Sequence, residues 1–222
     1  MRIVLAGAHG QIARRVGRLL SGRGDTVVGI VRNPAHEPDV VADGVEPVVL
    51  DLESASVEQV AAVLAGADAV VFAAGAGPGS GVARKDTVDR AAAVLLADAA
   101  ESAGVPRYLL VSSMGVDHVA GGATPDGVDE VFTAYLRAKL AAEEDLRARV
   151  GLSVAILRPG GLTDDPGTGR VSLGPSVDRG SVPRDDVAAV LVALLDGRAG
   201  DTVLEVVGGP TPIADAVAAV AG

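Results

Sequence analysis

A tyrosine and a lysine stand four residues apart, at Tyr135 and Lys139, in a chain that holds only two tyrosines and two lysines. Chance would supply about 0.02 such pairs in a chain of this composition. On a helix, a four-residue separation brings both side chains to one face. A phenol is a slow acid–base group at neutral pH, and a nearby ammonium favours its phenolate. The pair is therefore predicted to exchange a proton with a carbonyl or alcohol oxygen while hydride moves at the adjacent carbon.

A hydroxyl suited to orient that oxygen stands at the end of an apolar run, where Ser112 and Ser113 occur together. We predict that Ser113 orients the substrate; the alternative is that these serines only complete the hydrogen bonds of a strand end. His118 follows in a glycine-rich stretch and fits a surface position better than a substrate contact.

A glycine-rich turn, Gly7-Ala8-His9-Gly10-Gln11-Ile12-Ala13, follows the first apolar run and precedes a helical pattern. Residues without bulk let the backbone approach a pyrophosphate, and the helix then presents free N–H groups and its positive dipole end. The turn is therefore predicted to cradle the phosphates of a dinucleotide. The alternative is a tight turn required only for close packing of the helix.

The next strand-like run ends in Arg32, 22 residues after Gly10, with no acid at its tip. In dinucleotide sites an acid at this place binds the ribose 2′-hydroxyl, whereas an arginine accommodates a 2′-phosphate. The sequence therefore predicts NADP in preference to NAD, unless Arg32 is merely solvated. Asp51 ends the third run, where it can accept from the adenine amino group or cap the next turn. Small residues at 73–75 leave room for the nicotinamide ribose.

The elements that must position these residues alternate along the chain. Nearly continuous Val, Ile and Leu runs predict buried strands at 2–6, 26–31, 47–50, 69–73, 107–112, 153–157 and 202–207. Segments of helical period between them predict helices at 11–20, 57–64, 85–103, 132–150, 185–195 and 213–220. This alternation predicts a doubly wound parallel α/β sheet that forms a single domain over 1–222.

Glycine and proline concentrate at 75–81, 115–127 and 159–183, each after the carboxyl end of a predicted strand. Open α/β sheets bind ligands at that edge. We therefore expect three binding loops or lids that converge on one site, the last of them a small C-terminal substrate-loop region.

The composition excludes several function classes. The net charge is −10 and aromatic residues make up 2% of the chain, which argues against nucleic-acid partners. The chain has no cysteine and three scattered histidines, so no metal site is predicted. Neither a secretory signal nor an apolar run long enough to span a membrane is visible, so a cytoplasmic protein with a small-molecule substrate and no membrane partner is expected. The Ala-rich pattern does not indicate an oligomeric state.

Together these motifs resemble the short-chain dehydrogenase/reductase superfamily, in its atypical, single-domain, NAD(P)H-binding branch that is similar to NAD-dependent epimerases and dehydratases. The resemblance covers nearly the whole chain and includes the glycine turn and the segments 31–34, 50–52, 72–75, 111–115, 135–139, 158–162 and 183–188. It implies a Rossmann-like fold. Its catalytic positions correspond to Ser113, Tyr135 and Lys139, the last also binding the nicotinamide ribose. With the motifs above, it predicts cofactor contacts at Gly7, His9, Gly10, Gln11, Ile12, Arg32, Asp51, Leu52, Ala73, Ala74, Gly75, Ser112, Lys139, Pro159, Gly160 and Leu162.

Three functions remain open from the sequence. The first is an NADP-dependent oxidoreductase of a small carbonyl, quinone or flavin-type compound. The second is an epimerase or dehydratase, in which the hydride leaves and returns. The third is a nucleotide-binding regulatory or redox-sensing protein without turnover, although the retained Tyr135 and Lys139 favour activity.

Overall fold

A central sheet of nine strands organises residues 1–77, 79–197 and 200–220, the part of the chain described by this computed structural model. The strands of the chain are β1 (Arg2–Ala6), β2 (Thr26–Val31), β3 (Glu46–Val49), β4 (Ala69–Phe72), β5 (Arg107–Val111), β6 (Ser153–Pro159), β7 (Gly161–Thr163), β8 (Arg170–Gly174), β9 (Ser181–Pro183), β10 (Thr202–Gly208) and β11 (Thr211–Pro212). Their order in the large sheet is β11-β8-β10-β6-β5-β4-β1-β2-β3, and β7 and β9 pair in a second, small sheet. The seven strands from β3 to β10 in this order are parallel, whereas β8 and β11 are antiparallel additions at one edge.

Helices cover both faces of the large sheet. In the described residues they are α1 (Gln11–Gly22), α2 (Glu37–Ala42), α3 (Val57–Leu64), α4 (Val82–Arg84), α5 (Ala92–Ala103), α6 (Glu130–Arg147), α7 (Arg184–Asp196) and α8 (Ile213–Val220). Two 3₁₀-helices (Pro34–His36 and Val116–Gly122) and a π-helix (Lys85–Ala91) complete the set. One apolar core contains buried residues of α1, α7 and α8, and the other contains those of α3, α5 and α6. The predicted doubly wound, Rossmann-like α/β fold is confirmed.

The sequence pattern explains why the strands are central. All four residues of β4 and the last four of β5 are buried, as strands covered on both faces must be. Because β1 pairs with β2 on one side and β4 on the other, the chain reverses its direction of winding there. Such a reversal opens a crevice at the carboxyl ends of the strands, where ligands of this fold bind.

No helix in the described part of the chain combines the length and the apolar character needed to cross a membrane.

The prediction of one loop over 159–183 is wrong. The segment forms β7, β8 and β9. These strands are only three to five residues long, so none of them produces a recognisable apolar run. β8 instead gains its stability from antiparallel pairing with β10, which no local pattern reveals.

The predicted helix over 85–103 is helical throughout but begins in π form, and the predicted helix over 132–150 is displaced. The first consists of the π-helix followed by α5. The second begins at Glu130, because the Asp129 side chain accepts a hydrogen bond from the Phe132 N–H and caps the helix. It ends at Arg147 rather than 150. The short helix α2 was not predicted, since six residues that include a proline give too little periodicity.

Candidate active site

The glycine turn lies against the end of β4. Gly7 has a φ of +78°, and a Cβ built on it would come within 2.6 Å of the Ala74 Cα. A side chain is therefore excluded both by backbone conformation and by space. Gly10 immediately precedes α1, where a Cβ would lie 3.0 Å from the Gly7 carbonyl oxygen. This bare backbone at a helix start fits the pyrophosphate of a dinucleotide.

His9 projects from the glycine turn toward the loop after β2. Its ring stacks on His36 with centroids 3.6 Å apart. Its Nε2 lies 2.9 Å from the Asp39 carboxylate. That hydrogen bond, with the charge of Arg14, lowers the pKa of Asp39. His9, predicted to bind the cofactor, lines the smaller cavity beside the glycine turn. Its contacts with His36 and Asp39 could not be predicted from the sequence.

A cavity of about 450 Å³ lies beside this turn and is lined by residues for which the sequence predicts adenosine contacts, so we call it the adenosine cavity. Arg32 lines it, as predicted, but its guanidinium is engaged: Nη1 donates to Glu53 at 2.8 Å. Glu53 also accepts from Arg84 at 2.7 Å and from the Thr87 hydroxyl at 2.7 Å. The hydrogen bonds from Arg84 and Thr87 lower the pKa of the Glu53 carboxyl. The adenosine site therefore contains an acid, supplied after β3 rather than at the tip of β2.

Asp51 also lines the adenosine cavity. Its Oδ1 accepts from the Glu53 N–H at 3.0 Å, which is the turn-capping alternative considered for this residue. The contact fixes the loop that carries Glu53 beside Arg32.

A second cavity, of about 1030 Å³, opens where the three glycine-rich segments converge at the carboxyl ends of β4, β5 and β6. It shares the wall 73–77 with the adenosine cavity. The two cavities thus form one crevice along the switch point of the sheet.

Tyr135 and Lys139 both face the larger cavity from α6. The Lys139 ammonium is buried, donates to the Val111 carbonyl at 3.1 Å and lies 5.8 Å from the centre of the Tyr135 ring. It also lies 3.3 Å from Oδ1 of Asp89, a carboxylate with no exposed surface. Asp89 is held in turn by the Ala76 N–H at 3.2 Å. The charge that Lys139 presents to the phenol is therefore offset by a buried partner that sequence reasoning missed.

Asp89 reaches this position from the π-helix Lys85–Ala91. A π-helical turn holds an additional residue and changes which side chains face the sheet, and such turns are frequent at functional sites. The same segment brings in the other lysine of the chain, Lys85, whose Nζ lies 5.6 Å from the centre of the Tyr135 ring and donates to the Gly77 carbonyl at 3.0 Å. Tyr135 is thus flanked by both lysines.

The two serines after β5 have different environments. The Ser112 hydroxyl is buried and donates to Glu143. The Ser113 hydroxyl is half-buried at the larger cavity and donates to the Met114 carbonyl at 3.1 Å. The Ser113 hydroxyl is therefore the more accessible of the two at the larger cavity, whereas the Ser112 hydroxyl is engaged by Glu143.

Glu143 belongs to a buried ionic network under the site. Arg158, at the end of β6, donates to Glu143 at 2.6 Å and to Asp117 at 2.7 Å. Burial opposes the charge of Arg158, but the hydrogen bonds that it donates to Glu143 and Asp117 outweigh this effect and raise the pKa of the guanidinium. The network connects β6, α6 and the 3₁₀-helix after β5. It therefore fixes the relative positions of three elements whose side chains face the cavity.

Nearly all predicted site residues lie around this crevice. The adenosine cavity is lined by Gly7, His9, Gly10, Arg32, Asp51 and Leu52, and the larger one by Ile12, Ser112, Ser113, Tyr135, Lys139, Pro159, Gly160 and Leu162. Ala73, Ala74 and Gly75 line both. Gln11 lines neither cavity; it is exposed at the first turn of α1.

Comparison with known proteins agrees with this geometry. The model of a family described as NAD(P)H-binding matches residues 7–198. An uncharacterized sugar epimerase of Bacillus subtilis is 35% identical over 98% of this chain and 99% of its own length. A solved Bacillus halodurans structure assigned as an NAD-dependent epimerase/dehydratase superposes with a TM-score of 0.88, at 34% identity over 99% of each chain. ChuY, an anaerobillin reductase from Escherichia coli O157:H7, superposes with a TM-score of 0.79, at 26% identity over 95% of this chain and 100% of that one.

Proposed function

The chain belongs to the NAD(P)H-binding family, and from this premise we propose that it is an NADP-dependent oxidoreductase that reduces a small carbonyl, quinone or flavin-type compound. The observation that carries the proposal is the larger cavity, where Tyr135, Lys139 and Ser113 face the same space beside the small residues at 73–75. A positioned acid–base group next to a nicotinamide site is what hydride transfer to an oxygen-bearing carbon requires.

Tyr135, Ser113 and Lys139 each have a separate role at this site. When bound, the nicotinamide supplies the hydride. Tyr135 donates the proton to the substrate oxygen, and Ser113 orients that oxygen by a hydrogen bond. Lys139, fixed by the Val111 carbonyl and Asp89, binds the ribose hydroxyls. Because Asp89 offsets its charge, Lys139 acts chiefly by holding the ribose in register with Tyr135.

An epimerase is the second candidate, favoured by the names of the Bacillus subtilis and Bacillus halodurans proteins. In an epimerase the hydride returns to the same substrate, so the cofactor is not consumed. An oxidoreductase consumes one cofactor for each acceptor reduced. Stoichiometry therefore separates the two functions.

The proposal is tested by following NADPH oxidation at 340 nm with a panel of carbonyls, quinones and flavins. We expect at least one of these classes to support many turnovers, with one NADPH oxidised per acceptor reduced after the rate without enzyme is subtracted. Failure of the whole panel to raise NADPH oxidation above that rate would reject the proposed acceptor classes.

Arg32→Ala is expected to weaken NADPH binding and leave NADH binding nearly unchanged. A hydrogen bond to a phosphate by this partly exposed guanidinium contributes about 1–2 kcal/mol, or about 5- to 30-fold in affinity. Titration of both cofactors measures the effect, with Arg90→Ala as the control, since Arg90 is partly exposed and paired with Asp86 outside both cavities. Equal affinity of the parent protein for the two cofactors would remove the basis for NADP preference.

Glu53→Gln is expected to change the same preference in the opposite direction. A 2′-phosphate must compete with the Glu53 carboxylate for Arg32, and the two anions repel one another. Removing the charge should raise NADPH affinity several-fold relative to NADH. A fall in NADH affinity with no gain for NADPH would instead show that Glu53 binds the ribose 2′-hydroxyl, and that the site is built for NAD.

A further inference from the structure

Two of the four cationic side chains around the larger cavity have no carboxylate within 4.0 Å in the described part of the chain. Lys139 is paired with Asp89, and Arg184 with Asp164 at 2.9 Å. Of the other two, Lys85 is buried against a carbonyl, whereas Arg179 is exposed between β8 and β9. In a chain of net charge −10, an exposed arginine that faces a cavity without a carboxylate partner is available to an anion.

Arg179 is held in place by a histidine ring. Its Nη2 lies 3.1 Å from Nδ1 of His118, which also lines the cavity. The same Nη2 lies 3.5 Å from Nε2, so the guanidinium lies over the imidazole ring, which carries no negative charge. The neighbouring Asp117 is engaged by Arg158. His118 therefore positions Arg179 without neutralising it, and the remaining N–H groups keep the fork geometry that suits a carboxylate or phosphate.

An apolar surface lies on the same cavity. Phe132 is 44% exposed there, with Val131 and Leu162 also exposed beside the opening. The ring of Phe132 stacks on Tyr135 with centroids 5.6 Å apart and planes 29° apart. The two remaining aromatic side chains of the protein, Phe72 and Tyr108, have no exposed surface. An exposed aromatic ring beside the proposed acid–base group is suited to stack against a flat apolar ligand.

We propose that the substrate is a flat, conjugated molecule that carries an anionic group, with its body packed on Phe132 and its anion bound by Arg179. This inference rests on the proposed function, because it assigns a substrate class to the same cavity. One further carboxylate, Asp129, lines the cavity, but it caps α6 by accepting from the Phe132 N–H at 2.9 Å. His118 is a positioning residue in this arrangement.

Two matched pairs of probes test the proposal in the presence of NADP⁺. FMN and riboflavin differ by a phosphate, and anthraquinone-2-carboxylate and anthraquinone-2-carboxamide differ by a charge. Calorimetric titration is expected to show that the anionic member of at least one pair binds about 5- to 30-fold more tightly than its neutral partner. If only the flavin pair shows the preference, the anionic group that Arg179 binds is a phosphate. If only the quinone pair shows it, that group is a carboxylate.

Arg179→Met is expected to abolish the preference and leave the neutral probes unaffected. Arg170→Met is the matched control, since Arg170 is exposed and lines neither cavity; it should retain the preference. His118→Ala should reduce binding of the anionic members only, which a purely structural role of His118 would not do.

Equal binding of the paired probes by the parent protein, a preference that survives in Arg179→Met, or no binding of any probe would overturn the inference. The titrations involve no turnover, so their outcome is independent of the NADPH-oxidation assay. An anion preference without NADPH oxidation would reject the proposed function and leave the anion subsite standing.

Discussion

Tyr135→Phe is expected to lower kcat by about 10²- to 10⁴-fold, the range that a positioned general acid–base group contributes. The substitution removes only the hydroxyl and keeps the ring that stacks on Phe132. Binding of NADPH should therefore remain almost unchanged. The measurements are steady-state rates with the best acceptor of the panel and a cofactor titration on the same preparation.

The chain supplies a matched control in its other tyrosine. Tyr108 is buried in the sheet, where its hydroxyl donates to the Ala93 carbonyl at 2.9 Å and burial raises its pKa well above the usual value. Tyr108→Phe should cost about 1 kcal/mol of unfolding free energy and leave kcat unchanged. If Tyr135→Phe retains full turnover, the phenol is not the acid–base group, as would be the case for an acceptor that needs no protonation by the enzyme.

Arg158→Met is expected to lower the free energy of unfolding by about 3–5 kcal/mol, because it leaves the Glu143 carboxylate buried without its cation. Glu143 is 1% exposed, so water cannot replace the lost partner without a rearrangement of α6 and β6. Denaturant unfolding, followed by the loss of helical circular dichroism, measures the change.

Two further variants separate the buried pair from arginine replacement in general. Arg149→Met removes a guanidinium that contacts three carboxylates, each more than a third exposed, and should cost about 1 kcal/mol or less. Replacing Arg158 and Glu143 together, by Met and Leu, should restore much of the stability lost in Arg158→Met. A loss under about 1 kcal/mol in Arg158→Met would contradict the assignment of Glu143 as a buried charge that depends on this arginine.

Local patterns predicted those parts of the site that lie within one element or one turn. Because Tyr135 and Lys139 are four residues apart, they share one face of α6 even though the helix begins two residues earlier than predicted. The glycine turn was visible because Gly7 and Gly10 stand between a strand and a helix. Parallel strand order then brought the three glycine-rich segments to one edge of the sheet.

Contacts between distant segments could not be predicted. The partner of Lys139, Asp89, is 50 residues away in the sequence and faces it from a π-helical turn that no periodicity signals. Similarly, Glu53 reaches Arg32 across 21 residues because β2 and β3 are neighbours. The same holds for two contacts made by arginines, Arg179 with His118 and Arg158 with Glu143. Both depend on how separate loops, strands and helices pack.

Transfer of hydride from NADPH to an external acceptor is tested most directly by a single-turnover experiment. Protein loaded with one equivalent of NADPH is mixed rapidly with excess acceptor, and absorbance at 340 nm is recorded. We expect the absorbance to fall by one full equivalent per site, to remain low, and to fall about 10²- to 10⁴-fold more slowly in Tyr135→Phe. Absorbance that does not change with any acceptor would contradict hydride transfer by this protein and indicate a binding protein. With protein loaded instead with NADP⁺ and mixed with candidate epimerase substrates, a rise that returns to the baseline without net reduction would indicate an epimerase.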